Sequence, residues 1–208
     1  MQDNTYRKLH YSTGIIIAAF VALHLFNHAC SVVGAATHIQ VMHALRLLYR
    51  NPVVEIWLLG AVLVQIITGL RLFRQKRRAV STIFDKLHIY SGLYLALFLV
   101  IHVAAVLAGR LVLKLDTNFY FGVAGLNSFP VNLFFIPYYA LAILSFFGHI
   151  AAIHYIKMKA VVFGLSPLQQ ARLLLVLGFL VMVFIFYGLT NGFAGVTIPK
   201  EYEVLTGK

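Results

Sequence analysis

The stretches KLHYSTG (Lys8–Gly14) and KLHIYSG (Lys86–Gly92) are two near copies of one short motif. Each opens a long apolar segment, and a second histidine follows fourteen residues after the histidine of the motif. This repetition indicates two helices that share one role, and that role involves histidine. The two pairs are His10 with His24 and His88 with His102.

The apolar segments are long enough to cross a membrane. Hydrophobic residues make up 61% of the 208 residues and charged residues only 11%, whereas roughly a quarter of a soluble domain is charged. A helix of about 20 apolar residues crosses roughly 30 Å of hydrocarbon. The sequence therefore predicts an all-α polytopic membrane protein with a single membrane domain over residues 1–208. Its five spanning helices are expected at about 12–34, 52–73, 87–109, 131–156 and 169–190.

The formal charge of +11 is unevenly distributed among the loops. Short basic loops mark the cytoplasmic side of a membrane, so we expect a protein of the bacterial inner membrane with its N-terminus inside and its C-terminus outside. Two roles are open for the basic face. It sets topology alone, or it also docks a soluble partner or anionic lipid headgroups; nucleic acid is not expected. The cations on this face are Arg7, Lys8, Arg71, Arg74, Lys76, Arg77, Arg78, Lys86, Lys157, Lys159 and Arg172.

Other features of the sequence narrow the chemistry. Cys30 is the only cysteine, which excludes an intramolecular disulfide and a cysteine-based metal site. No phosphate-binding, dinucleotide-binding or nucleophile-elbow motif occurs, and no soluble domain is expected. The segment THIQVMHALRLLYR predicts a short interfacial amphipathic helix, and FGVAGLNSFP an external turn region. His38, His43 and His154 are expected in solvent or at the interface.

The fourteen-residue spacing places each histidine pair on one helix face. Fourteen residues turn an α-helix through about 1400°, roughly 40° short of four turns, and advance it about 21 Å. Because one helix intervenes, the first and third spanning helices run in the same direction. His10 is then level with His88 near the cytoplasmic surface, and His24 with His102 deeper in the membrane.

Two imidazoles that face each other are typical axial ligands of a haem iron. Two such levels predict two b-type haems, with a single haem as the alternative. Gly14 and Gly92 each lie four residues after the first histidine of a pair, on the same face, and would leave room for a porphyrin.

Three stretches resemble the single-chain, five-helix cytochrome b membrane anchors of succinate:quinone oxidoreductases and fumarate reductases. YRKLHYSTGIIIAAFVALHLFNH resembles their first helix, LHIYSGLYLALFLVIHV their third, and FFGHIAAIHYIK the end of their fourth. The resemblance covers roughly residues 6–160. It implies a haem-binding bundle built from the first four spanning helices.

The resemblance also implies ligands, with one departure. It implies His24 and His102 as ligands of the distal haem and His149 as one ligand of the proximal haem. The other proximal ligand would be a histidine on the second spanning helix, four residues before a glycine, where this chain has Gln65. His88, in turn, stands where many family members carry glutamine.

Geometry suggests a replacement for the missing proximal ligand. Glutamine is a poor ligand of haem iron, and diagonal helices supply the trans ligands of a haem in a four-helix bundle. We therefore expect His10 and His88 to hold the proximal haem, while His149 bonds a propionate or a quinone.

The function that the resemblance implies is electron transfer. The chain would pass electrons between a cytoplasmic iron–sulfur subunit and membrane quinone, and a flavoprotein subunit would carry the succinate chemistry. One alternative is a stand-alone dihaem cytochrome b that exchanges electrons between quinone and a small redox partner; another is a haemless transporter or scaffold. The quinone or propionate candidates in the headgroup layer are Arg7, Tyr11, Ser12, Lys86, Tyr90 and Ser91.

Overall fold

A computed structural model, which describes residues 2–77 and 80–207, is built around five long helices. All five are long and apolar enough to cross a membrane, so the chain is an integral membrane protein of the all-α class, as predicted. Apart from one β-bridge between Val162 and Leu165, the regular structure in the described residues is helical. The long helices are α1 (Gln2–Ala29), α3 (Pro52–Lys76), α4 (Ile83–Leu111), α6 (Asn132–Lys157) and α7 (Pro167–Leu189).

Four shorter elements connect the long helices or follow them. The predicted interfacial helix is α2, and it begins slightly before the expected segment. The predicted external turn region also contains a helical turn, α5. The short elements are α2 (Ala35–Tyr49), α5 (Phe119–Val123) and the 3₁₀ helices Cys30–Val32 and Lys200–Thr206.

Polar caps explain why two of the long helices begin where they do. Thr82 Oγ1 accepts a hydrogen bond from the backbone N–H of Asp85, and the Asp85 carboxylate accepts one from the backbone N–H of Thr82. Ser166 and Gln169 form the same reciprocal arrangement before α7, where Pro167 fills the first helical position. These caps satisfy backbone donors that the helix itself leaves free.

Long helices that follow one another in the chain run antiparallel. The start of α1 meets the end of α3, where the guanidinium of Arg71 lies 3.9 Å from the ring centroid of Tyr6. The start of α4 meets the end of α6, where the rings of Phe84 and Tyr155 stack at 4.1 Å. Helices α1, α4 and α7 therefore run in one direction and α3 and α6 in the other.

The described cations of the predicted basic face lie at one end of the bundle, which we call the basic end. Arg78 lies outside the described residues. The other end, formed by α2, α5 and the 3₁₀ helix Lys200–Thr206, is called the opposite end. The cations at the basic end are Arg7, Lys8, Arg71, Arg74, Lys76, Arg77, Lys86, Lys157, Lys159 and Arg172.

The long helices pack in the order α1, α3, α4, α6 and α7, and α7 closes the ring against α1. Helix α1 therefore faces α4 across the bundle, and α3 faces α6. These are the two diagonals on which trans ligands were expected.

The opposite end holds the main apolar core. The side chains of α5 are enclosed by α6, α7 and the turns around them, and Tyr202 packs there at 1% exposure. The hydroxyl of Tyr202 donates to the backbone carbonyl of Asp116 at 3.1 Å. The buried members of this core are Phe119, Val123, Leu126, Ile143, Ile185 and Leu189.

The contact between α7 and the 3₁₀ helix Cys30–Val32, which directly follows α1, requires a residue without a side chain. A Cβ atom on Gly188 would lie 2.6 Å from the backbone nitrogen of Val32 and would also overlap the hydroxyl of Ser31. We expect Gly188→Ala to destabilise the fold by roughly 1–3 kcal/mol through overpacking.

The matched control is Gly60→Ala in α3, where an added Cβ meets nothing within 4 Å. Because alanine is the better helix former, this change should be neutral or stabilising. Thermal unfolding midpoints in detergent compare the two variants. Equal midpoints would contradict the close approach of α7 to the end of α1.

Candidate functional site

Two imidazoles meet across the bundle. The ring centroids of His24 on α1 and His102 on α4 lie 6.1 Å apart, with an interplanar angle of 70°. A metal–imidazole bond is about 2 Å long, and each nitrogen lies roughly 1 Å from its ring centre, so two rings on opposite sides of a metal have centroids about 6 Å apart. The His24–His102 pair fits this separation.

Aromatic rings flank the pair on both helices. Phe20 stacks on His24 at 5.7 Å between centroids, and Phe98 stacks on His102 at 5.0 Å. Tyr139 of α6 meets His102 edge-on at 6.4 Å. Each phenylalanine precedes its histidine by four residues and thus shares its helix face. Sequence analysis missed this part of the repeat, although the shared spacing was visible.

A third and a fourth histidine extend the cluster toward the opposite end. His28 Nε2 lies 3.1 Å from His24 Nε2, and His28 Nδ1 lies 3.3 Å from His38 Nε2. The side-chain amide of Asn27 also lies within hydrogen-bonding distance of His38 Nε2, at 3.2 Å. Four imidazoles are therefore contiguous: His24, His28, His38 and His102.

The prediction that His38 lies in solvent or at the interface is wrong, because its side chain is only 3% exposed. The chain reverses at Gly34, whose φ of 140° is a conformation that side chains rarely permit. This turn lays α2 against the end of α1. His43, on the same helix, is exposed as expected, and His154 is partly buried and bonds Gln170 at 2.8 Å.

At the basic end, His10 is held against α3. Thr68 Oγ1 lies 3.0 Å from His10 Nδ1 and donates a hydrogen bond to the carbonyl of Val64, so it accepts a hydrogen bond from the N–H at His10 Nδ1. Gln65 Nε2 lies 3.3 Å from His10 Nε2, and Thr13 Oγ1 donates to Gln65 Oε1 at 2.6 Å. Gln65 thus contacts His10, the residue expected from the sequence as a ligand, from the position where the resembled family carries a histidine.

His88 lies beside His149 at the same end. Their ring centroids are 4.5 Å apart, closer than the roughly 6 Å of two rings on opposite sides of one metal. His149 Nδ1 lies 3.1 Å from the backbone carbonyl of His88 and 3.3 Å from Ser91 Oγ. His10 is close enough to interact electrostatically with both histidines. The structure therefore gathers three imidazoles at this end, and the His10–His88 pairing stays a prediction.

Glycines at the basic end make room for side chains of the neighbouring helix. A Cβ atom on Gly92 would lie 3.0 Å from His149 Cε1, and one on Gly69 would lie 3.2 Å from His10 Cε1. A Cβ atom on Gly14 would lie 3.4 Å from the Gln65 amide. Gly14 and Gly92 therefore face polar side chains, where the sequence suggested a porphyrin.

The quinone or propionate candidates are placed unevenly. Ser91 is 6% exposed and contacts His149, so it belongs to the histidine cluster at the basic end. Tyr11 and Tyr90 are 59% and 63% exposed and lie on the outer surface of the bundle. The other exposed candidates are Arg7, Ser12 and Lys86.

Comparisons with models of known protein families, with curated proteins and with solved structures found no match for this chain.

Burial of His38 has a consequence for acid stability. Desolvation, together with the nearby His24 and Arg46, lowers the pKa of His38 to about 4, from about 6.5 in an unfolded chain. Between these values the unfolded chain binds more protons than the folded one. The stabilisation that neutral His38 provides is therefore complete above about pH 6.5 and is lost as the pH falls toward 4.

We expect His38→Gln to reduce the loss of thermal stability between pH 7.5 and pH 5. His43→Gln, an exposed position on the same helix, is the control and should leave the pH dependence unchanged. Unfolding midpoints at the two pH values measure both effects. If His38→Gln were as acid-sensitive as the parent protein, the role given to His38 would be wrong.

Proposed function

We propose that this chain is the haem b-containing membrane anchor subunit of a succinate dehydrogenase or fumarate reductase type complex. In this role it passes electrons between an iron–sulfur subunit and membrane quinone. One observation carries the proposal: the ring centroids of His24 and His102 lie 6.1 Å apart, on helices that lie across the bundle from each other.

The set of donor atoms favours haem over a bare metal ion. Within the described residues, no group of three or more histidine, cysteine or acidic side chains is placed to hold a metal. A haem supplies most of its iron's ligands itself and needs few from the protein. His24 and His102 would hold it, and the bound haem would supply one-electron transfer.

The chain's own residues would fix the ligands in place. Phe20 and Phe98 stack on His24 and His102 and restrict rotation of the two rings. Their apolar surfaces also limit access of water, which influences the potential of an iron centre.

A second haem at the basic end is part of the proposal. We assign His10 and His88 to it, because they lie on the same diagonal, α1 with α4, as His24 and His102. Thr68 Oγ1 accepts a hydrogen bond from His10 Nδ1–H, so Nε2, which now contacts the Gln65 amide, would be the nitrogen available to hold iron. His149 is the competing residue, since the carbonyl of His88 similarly accepts a hydrogen bond from its Nδ1–H.

The basic end is the proposed docking surface for the iron–sulfur subunit, which in turn carries the flavoprotein subunit. Dense cationic surfaces steer acidic partners toward a binding site. Because short basic loops face the cytoplasm, this end would be cytoplasmic in a bacterial inner membrane. Among the quinone candidates, Ser91 has the strongest support, because it contacts the histidine cluster.

A stand-alone dihaem cytochrome b is the second candidate. Gln65 favours it, because the family's usual proximal ligand is replaced by an amide that contacts His10. The two functions differ in their partners.

Purification from the native membrane in mild detergent tests both functions. A pyridine haemochrome assay and a reduced-minus-oxidised spectrum should show b-type haem, and an iron–sulfur chain and a flavoprotein should co-purify. Haem in a chain that repeatedly purifies alone would favour the stand-alone cytochrome. Folded protein from the native membrane that contains no haem would contradict both.

His24→Ala and His102→Ala should each remove the same haem, because each deletes one of two axial ligands. His43→Ala, which changes an exposed histidine outside the long helices, is the control and should keep the full haem content. Haem per chain and the low-spin absorption bands are the measurements. A full low-spin complement in both ligand variants would show that the pairing is wrong.

His10→Ala and His88→Ala should each remove the second low-spin haem, whereas His149→Ala should keep it with an altered spectrum. The difference arises because His149 is assigned a hydrogen-bonding role and the other two are assigned to iron. Loss of that haem in His149→Ala, with retention in either of the other variants, would place His149 in the pair.

A further inference from the structure

The end of α3 carries a surface groove that lies outside both histidine clusters, although its two arginines belong to the basic end. Its volume is about 540 Å³, and one face of the helix lines it. We call it the α3 groove. Its lining residues are Ile67, Leu70, Arg71, Arg74 and Gln75.

The α3 groove changes from apolar to cationic along the helix axis. Ile67 and Leu70 lie further into the span, and Ile67 is 54% exposed. Arg71 and Arg74 lie one turn closer to the basic end. A phospholipid has the same polarity profile, with acyl chains in the hydrocarbon and a phosphate at the boundary.

Neither Arg71 nor Arg74 takes part in the ion pairs of the described side chains, which are Arg46–Asp116 and Arg110–Glu55. Arg71 lies over the Tyr6 ring at 3.9 Å, a contact that orients the guanidinium without adding a negative charge.

We propose that the α3 groove binds one anionic phospholipid. Its phosphate accepts hydrogen bonds from Arg71 and Arg74, and an acyl chain covers Ile67 and Leu70. Guanidinium groups suit this role because their donors match the geometry of phosphate oxygens. A free phosphate would satisfy the arginines equally well but would leave the apolar half of the groove uncovered. The proposal does not depend on haem.

The test uses the full chain in its native complex, delipidated in detergent and then mixed with phosphatidylglycerol or phosphatidylcholine. Native mass spectrometry counts retained lipids, and the thermal midpoint reports stabilisation. The variants are Arg71→Gln/Arg74→Gln and the control Lys159→Gln/Arg172→Gln, which removes two exposed cations from the same end outside the groove. Arg74→Gln alone changes an exposed side chain and serves if the double variant does not fold.

We expect the parent protein and the control to retain one phosphatidylglycerol per chain and to be stabilised by it. The affinity of the groove variant for this lipid should fall by about tenfold or more, with unchanged haem content. If the control lost phosphatidylglycerol equally, the net charge of the basic end and not the groove would explain binding, and the proposal would be wrong. Equal stabilisation by inorganic phosphate would indicate a site for a free anion and would also contradict it. Retention of the lipid by Arg74→Gln and by the double variant would also overturn the proposal.

Discussion

A helix that crosses hydrocarbon must satisfy its own backbone, because no water is present to do so. Once this constraint is met, the few polar side chains inside the bundle decide how the helices associate, since each needs a partner on another helix. In this protein many of the polar contacts between long helices involve imidazoles. Their partners are hydroxyl, amide and carbonyl groups of the adjacent helix.

The histidines connect helices in two different ways. At the basic end they join neighbours, with His10 bonded to α3 through Thr68 and with His149 of α6 beside His88 of α4. Nearer the opposite end the connection crosses the bundle, between His24 and His102. The contacts at the basic end join α1 to α3 and α4 to α6. The contact between His24 and His102 connects these two pairs, because it joins α1 to α4.

Hydropathy and spacing predicted the five spanning helices and the proximity of His24 to His102, because both depend on local periodicity. Hydropathy did not predict that α1 begins at Gln2, since a polar first turn can remain helical outside the hydrocarbon. Burial of His38 was also missed. It depends on the reversal at Gly34 and on the packing of α2, which are tertiary effects. The sequence indicated that Gly14 and Gly92 leave room on a helix face, but not which side chains fill that room. The order of the helices in the bundle decides which side chain faces each glycine.

The packing of α7 affects helices of the bundle that carry histidines. This helix contains no histidine, yet it packs against both α1 and α6 and so separates two helices that would otherwise be neighbours. At Gly188 it lies directly against the segment that follows α1. A side chain added there would press on that segment and so on the end of α1 that carries His24. The separation of His24 and His102 therefore depends in part on a helix that holds no histidine.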